Sequence, residues 1–136
     1  MDDLLGRGAE ALVRSGSMRR AGCIVHSDLH HGNVLTADRV YLIDWEYAQV
    51  GDPLFDLACI IGYYPRAVVH DVLLLEASGL REAGATPQML AELTRVFNLL
   101  TYLWYRARRL ARAVPATELQ LESTALRRVL ALAPDA

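Results

Sequence analysis

His26-Ser-Asp28-Leu-His-His-Gly-Asn33, followed by Val34-Leu-Thr36, Ala37-Asp38-Arg39, Val40-Tyr-Leu-Ile43 and then Asp44-Trp-Glu46, is the stretch from which the fold can be read. Two β-branched runs around a polar triplet are the pattern of a β-hairpin. A turn centred on Asp38-Arg39 pairs Val34 with Ile43 and sets Asn33 opposite Asp44. Cross-strand neighbours have Cβ atoms only about 4.5–5.5 Å apart, close enough for two side chains to share one cation. Asn33 offers a carbonyl oxygen and Asp44 a carboxylate, hard donors that suit Mg²⁺. Upstream, Cys23-Ile-Val25 reads as a short buried strand that delivers the chain to the loop.

Outward from this hairpin the pattern is helical. Residues 2–15 read as an amphipathic helix weakened by Gly6 and Gly8. Gly51-Asp52-Pro53 places an aspartate at the N-cap and proline at the first helical position. The helix it opens runs to about Tyr63, where Pro65 breaks it, and a second helix is expected over 66–78, stopping near Gly79. Thr86-Pro87 repeats the cap-plus-proline start. Beyond it, apolar residues keep a 3.6-residue period as far as Ala113. After Pro115 a last helix is expected over 118–132, with Thr117 as its cap. The fold class is mainly α with a small β-hairpin.

At 136 residues the chain is long enough for one domain with a real core. A net charge of −2 gives no field that would draw it to nucleic acid or an anionic membrane. All 14 basic residues are arginine. Two cysteines, Cys23 and Cys59, without a secretory signal make a disulfide framework improbable. No apolar stretch approaches the ~20 residues a spanning helix needs. A cytoplasmic location is the expectation.

Asp28, Asn33 five residues later and Asp44 beyond them have the spacing that phosphoryl transfer uses. One aspartate takes a hydroxyl proton, the asparagine holds a metal, and the second aspartate bridges that metal to the phosphates of ATP. His26 braces the loop by hydrogen bonds, and Gly32 lets the backbone turn where a side chain would obstruct it. Two blander or rival readings stand beside this one. Asp28 and Asn33 are both common turn formers. His26, Asp28, His30 and His31 also resemble the start of a Zn²⁺ or dinuclear hydrolase site, although no further histidine cluster or cysteine pair completes it.

Residues 22–62 resemble the aminoglycoside phosphotransferase and choline kinase superfamily of small-molecule kinases. The pattern that carries the resemblance is His-x-Asp-Leu-His-x-Gly-Asn, then Ile-Asp-Trp-Glu-Tyr, then Gly-Asp-Pro-x-x-Asp-Leu-Ala. The resemblance implies the C-terminal lobe of a protein-kinase-like α+β fold. It implies Asp28 as catalytic base, Asn33 and Asp44 as metal ligands, Asp56 as the helix aspartate that braces the loop from beneath, and Asp52 as a structural cap. ATP as phosphoryl donor, Mg²⁺ and a small-molecule alcohol are implied with them. Ser27 in place of an arginine, Asp-Trp-Glu in place of Asp-Phe-Gly, and no following Ala-Pro-Glu all point away from protein substrates. Glu46-Tyr47 resembles the choline, ethanolamine and thiamine kinases, whereas aminoglycoside phosphotransferases more often carry glycine at the position of Glu46.

A cationic alcohol would also make sense of the aromatic residues. Tyr47, Tyr63, Tyr64, Tyr102, Trp104 and Tyr105 include enough rings to cage an ammonium or thiazolium ion, with Glu46 to neutralise it. Aromatic residues at helical spacing are more often core, so Tyr47 and Trp104 stand between the two roles. The run Arg106-Ala-Arg-Arg-Leu-Ala-Arg112 reads as a solvated basic face near a helix C-terminus, with phosphate binding as the alternative. The resemblance covers a C-terminal lobe only. The roughly twenty residues before Gly22 hold one helix and no lysine, so residues 1–136 are expected to form a single catalytic lobe without the N-terminal ATP-binding lobe. A truncated kinase, a fragment or half of a split enzyme would fit. A non-catalytic remnant or binding module is the alternative of another class.

Overall fold

The longest helix organises the molecule. It runs over Pro87–Ala111 and starts where Thr86 Oγ1 accepts the Met89 amide at 3.2 Å, as the cap-plus-proline pattern predicts. The structure is a computed structural model that describes residues 2–20 and 22–131. In chain order its elements are α1 (Asp2–Ser15), β1 (Cys23–Val25), β2 (Val34–Thr36), β3 (Val40–Leu42), β4 (Gln49–Gly51), α2 (Leu54–Tyr63), α3 (Asp71–Ala77), α4 (Pro87–Ala111) and α5 (Ala116–Ala131). The fold is mainly helical, with two small antiparallel sheets, as the fold class expected.

Two apolar clusters meet on α4. Leu90, Leu93 and Phe97 pack against Leu54, Ala58 and Ile61 of α2 and Leu75 of α3. Leu99 and Tyr102 pack with Ala125 and Val129 of α5 and with Leu4 of α1. Leu54, Leu75, Leu90 and Leu93 are fully buried, and each contributes about 1.5–3 kcal/mol by leaving water. Gly8 and Gly62 have a packing reason. A Cβ at Gly8 would strike Leu99, and one at Gly62 would strike the Phe97 ring, so α1 and α2 approach α4 where a side chain could not fit.

The hairpin forms, with a register one residue from the expected one. Val34 pairs with Leu42, Leu35 with Tyr41 and Thr36 with Val40. All of Ala37-Asp38-Arg39 lies in the loop, closed by a 3.0 Å bond from the Ala37 amide to the Arg39 carbonyl. Asn33 therefore faces Ile43, whose amide donates to the Asn33 carbonyl at 3.0 Å, and Asp44 lies one residue beyond. A second sheet, not anticipated, pairs β1 with β4 (Cys23 with Gly51, Ile24 with Val50, Val25 with Gln49). Nor is β1 a buried strand. Val25 points inward at 1 % exposure while Ile24 stands 72 % exposed, because a two-stranded sheet covered on one face buries only alternate residues.

Asp52 acts as the expected cap. Its Oδ1 accepts the Leu54 amide at 3.0 Å, and its Oδ2 pairs with Arg20 at 2.7–2.8 Å. Arg20 also donates to the Ser15 carbonyl at 2.7 Å, which ties the end of α1 to the start of α2. The helix expected over 66–78 divides into a 3₁₀ segment, Pro65–His70, and α3. Gly79, at φ 73°, ends it where an L-residue would be strained. The last helix begins at Ala116, two residues early, with the Pro115 carbonyl accepting the Glu118 amide at 3.0 Å. Thr117 lies within its first turn rather than capping it, and position 132 of the expected range lies outside the described residues.

The arginine run keeps the expected solvent exposure but is also ion-paired. Arg108 makes a two-bond pair with Glu118 (3.1 and 3.2 Å), and Arg109 makes one with Glu122 (2.7 and 3.1 Å). Arg106 and Arg112 add longer contacts to the same two glutamates. The run therefore fastens α4 to α5. Among the described residues, no helix is long and apolar enough to cross a membrane.

Candidate active site

Helix α2 holds the loop between β1 and β2 at both ends. At its first turn, the Asp56 carboxylate accepts the His26 amide at 2.9 Å and the Ser27 amide at 2.8 Å. These bonds fix Ser27 at φ 66°, in the left-handed region that a non-glycine residue adopts only when its surroundings impose it. Below them, the buried Cys59 thiol donates to the Ser27 carbonyl at 3.5 Å, and burial pushes that thiol's pKa well up. His26 is fully buried. Its Nε2 donates to the Ile43 carbonyl at 2.8 Å and its ring lies 4.8 Å from that of Trp45, joining the loop to the residues on either side of Asp44.

Two turns along α2, roughly 10 Å by helical rise, Tyr63 and Tyr64 reach the other end of the loop. The Tyr63 hydroxyl donates to Asp28 Oδ1. The Tyr64 hydroxyl accepts the His31 amide at 2.7 Å and lies 2.5 Å from His31 Nδ1. On the far oxygen of Asp28, the Asn33 amide donates to Oδ2 at 3.2 Å and to the Asp28 carbonyl at 2.9 Å. His30 Nε2 stands 3.5 Å from the same Oδ2. The Gly32 amide donates to His30 Nδ1 at 3.0 Å, so the hydrogen of a neutral ring sits on Nε2 and faces Asp28. A Cβ at Gly32 would press on the His30 ring, which gives this glycine a clearer purpose than the turn alone.

Asp28 and Asn33 are thus brought into direct contact, with Asp44 one residue past Ile43, just beyond the end of β3. Asp44, a member of the expected site, is exposed and has φ 61°, and with Ser27 it is one of two non-glycine residues in the left-handed region among the described residues. Both recorded bonds of the Asn33 amide leave through Nδ2, so its carbonyl oxygen keeps its capacity for a cation. The donor set fits Mg²⁺, a hard ion that takes one or two protein oxygens and fills its shell with water and phosphate. Among the described residues, no group of three or more His, Cys, Asp or Glu side chains is placed to hold a metal. The hydrolase reading fails on this point, with His26 turned to Ile43 and His31 to Tyr64.

Asp28 opens onto a cleft of about 540 Å³. Ser27, His30, Tyr47, Gln49 and Tyr63 line it together with Phe97, Leu100, Thr101, Trp104 and Tyr105 of α4. Among the described residues, Asp28 is the one acidic residue lining it. Trp104 and Tyr47 are therefore cleft residues rather than core, whereas Tyr102 is buried in the helical body. Glu46 is exposed and does not line the cleft. One face of the Trp104 ring is stacked by the Arg108 guanidinium, 4.4 Å from its centroid. Arg108 in turn holds the Glu118 carboxyl below its ordinary value. The contacts of Tyr63 and His30 with Asp28 were missed by the sequence reading, which placed Tyr63 only among the candidate rings. Its position seven residues after Asp56, on the same side of one helix, was the available signal.

The fold is that of part of a phosphotransferase. The chain superposes on the apo form of a thermostable mutant of aminoglycoside phosphotransferase APH(4)-Ia with a TM-score of 0.67, at 21% identity, over 96% of this chain and 43% of that one. A model of the phosphotransferase enzyme family matches residues 7–93, and the chain belongs to that family. It is 54% identical over 37 residues to Protein LicA of Haemophilus influenzae, covering 26% of this chain and 14% of that protein. It is 34% identical over 84 residues to the Protein LicA homolog of Metamycoplasma hominis, covering 61% of this chain and 32% of that protein. The chain thus spans a third or less of the curated relatives that it matches.

Proposed function

We propose that these residues form the acceptor-binding, catalytic lobe of an ATP- and Mg²⁺-dependent phosphotransferase whose substrate is the hydroxyl group of a small cationic molecule such as choline, ethanolamine or thiamine. The observation that carries this reading is the position of Asp28, the single carboxylate on an aromatic cleft, in contact with Asn33. An alcohol seated in the cleft presents its oxygen to Asp28. As that oxygen bonds to the γ-phosphorus of ATP, the bond from phosphorus to the β–γ bridging oxygen breaks. ADP leaves with the electron pair, and the hydroxyl proton passes to the Asp28 carboxylate. Asn33 and Asp44 are the residues assigned to Mg²⁺, which when bound offsets charge on the transferring phosphate. The elements that cover the nucleotide are assigned to a further lobe outside residues 1–136, in keeping with the share of its relatives that the chain spans.

The cationic acceptor rests on Tyr47, Tyr63, Trp104 and Tyr105 around the cleft, since ring faces attract a poorly hydrated cation by about 0.5–2 kcal/mol each. A polyamine sugar would call for several acids, and the cleft has one. The test is a panel of alcohols offered with ATP and Mg²⁺ to the full-length protein. Asp28→Asn should lower kcat by at least the ~10² of a lost general base. Trp104→Ala should raise KM for a cationic alcohol several-fold and leave KM for ATP unchanged. Full turnover by Asp28→Asn refutes the base. Preferred phosphorylation of an aminoglycoside or a neutral sugar refutes the acceptor class.

A further inference from the structure

Within the proposed phosphotransfer reaction, we infer that Tyr63 is a positioning residue for Asp28: its hydroxyl occupies one face of Oδ1 and holds the carboxylate oriented toward the cleft, where the substrate hydroxyl binds beside the phenol. The inference rests on the functional reading above and on a count of acceptor sites. An ionised carboxylate has about four lone-pair positions, two on each oxygen. On Oδ2 one is taken by Asn33 Nδ2 at 3.2 Å, and His30 Nε2 stands 3.5 Å away as a longer electrostatic contact. On Oδ1 one is taken by the Tyr63 hydroxyl. The open position on Oδ1 lies beside the phenol.

The surroundings of Tyr63 suit a fixed donor. Its ring is packed edge-on against Phe97 and His30, each with centroids 5.1 Å away, so the phenol has little rotational freedom. It sits at the end of the helix whose first turn carries Asp56, so one rigid element sets both the loop backbone and the carboxylate that the loop presents. Burial and the bond to Asp28 both push the phenol's pKa up, which keeps it a proton donor throughout the range in which an enzyme works. Tyr63 also lines the cleft, so its hydroxyl lies beside the place the acceptor alcohol takes. Losing the hydroxyl alone frees the carboxylate to rotate and removes the neighbour that guides the alcohol to Oδ1.

The test compares Tyr63→Phe, which keeps the ring packing, with Tyr63→Leu, which does not. In the active full-length protein, Tyr63→Phe should lower kcat by about 10- to 100-fold, the range for a hydrogen bond to a charged group acting on the transition state. KM for ATP should stay at the wild-type value, and the melting temperature should fall only by what the loss of one hydrogen bond to a charged group costs. Tyr63→Leu should lose as much kcat and melt earlier still. A wild-type kcat in Tyr63→Phe overturns the inference and leaves the functional reading standing. If the wild-type protein phosphorylates no alcohol, the functional reading fails, and the contact itself is decided by proton NMR of the 136-residue chain. A slowly exchanging phenolic proton that vanishes in Tyr63→Phe and shifts in Asp28→Asn supports the positioning contact. Its absence from the wild-type spectrum overturns it.

Discussion

Asp56→Ala is the substitution that most directly tests how the loop is held. The carboxylate accepts two backbone amides, from His26 at 2.9 Å and Ser27 at 2.8 Å, and Asp56 is half-buried. A hydrogen bond to a charged group contributes about 1.5–3 kcal/mol, and partial exposure puts each of these near the lower end. Against their loss stands relief of the left-handed Ser27 backbone, which returns about 1 kcal/mol. Asp56→Ala should therefore destabilise the chain by about 2–3 kcal/mol, lowering the melting temperature by about 10 °C. Asp56→Asn keeps one acceptor oxygen and turns an NH₂ toward the other amide, so its expected loss is about 1.5 kcal/mol. Urea unfolding followed by circular dichroism measures both, and amide exchange at His26 and Ser27 locates the change. A loss below about 0.5 kcal/mol for Asp56→Ala, with protection of those two amides unaltered, would show that the loop is held by something else.

Two further outcomes follow from the same coordinates. Because Arg108 holds the Glu118 carboxyl below its ordinary value of 4.5, the ionised form is favoured in the folded state. The stabilisation it gives is present above that value and is lost as pH falls through the lower folded one. The melting-temperature gap between wild type and Glu118→Gln should thus be open at neutral pH and close in acid, and a gap independent of pH contradicts the pairing. The two thiols should differ sharply. Cys23 is exposed and should react with a disulfide reagent in the native chain. Cys59 is buried with its pKa raised, and should react only on unfolding, so rapid native labelling of both would refute the packing beneath Ser27.

Local patterns in the sequence marked the helices, their caps and the hairpin, because each is set by residues within a few positions of one another. Thr86-Pro87, Asp52-Pro53 and Pro65 all stand where their chemistry predicts. What escaped was set by residues far apart. β4 is three residues long and exists only because β1 lies beside it, a pairing no local pattern announces. The basic run looks unpaired until α5 folds back and sets Glu118 and Glu122 against it. The hairpin register slipped by one because Ala37 joined the loop, which moves Asp44 from the place facing Asn33 to the next one. In the site, Asp28, Asn33 and the brace at Asp56 were legible through their motif. The exclusion of Glu46 from the cleft and the hydroxyl of Tyr63 on Asp28 were not, since both depend on where a helix end falls in space.

The separation of α2 from α4 has a consequence for how such a lobe can diverge. Every side chain that grips the loop backbone or Asp28 from the helical body comes from α2, while α4 lines the cleft with residues 97, 100, 101, 104 and 105. Leu100, Thr101 and Trp104 touch neither Asp56 nor Tyr63 by any hydrogen bond. These three can therefore be exchanged one at a time while Asp28 stays in register, whereas Phe97, which packs on Tyr63, cannot. A lineage built this way would change the shape of its cleft far more readily than the setting of the carboxylate within it.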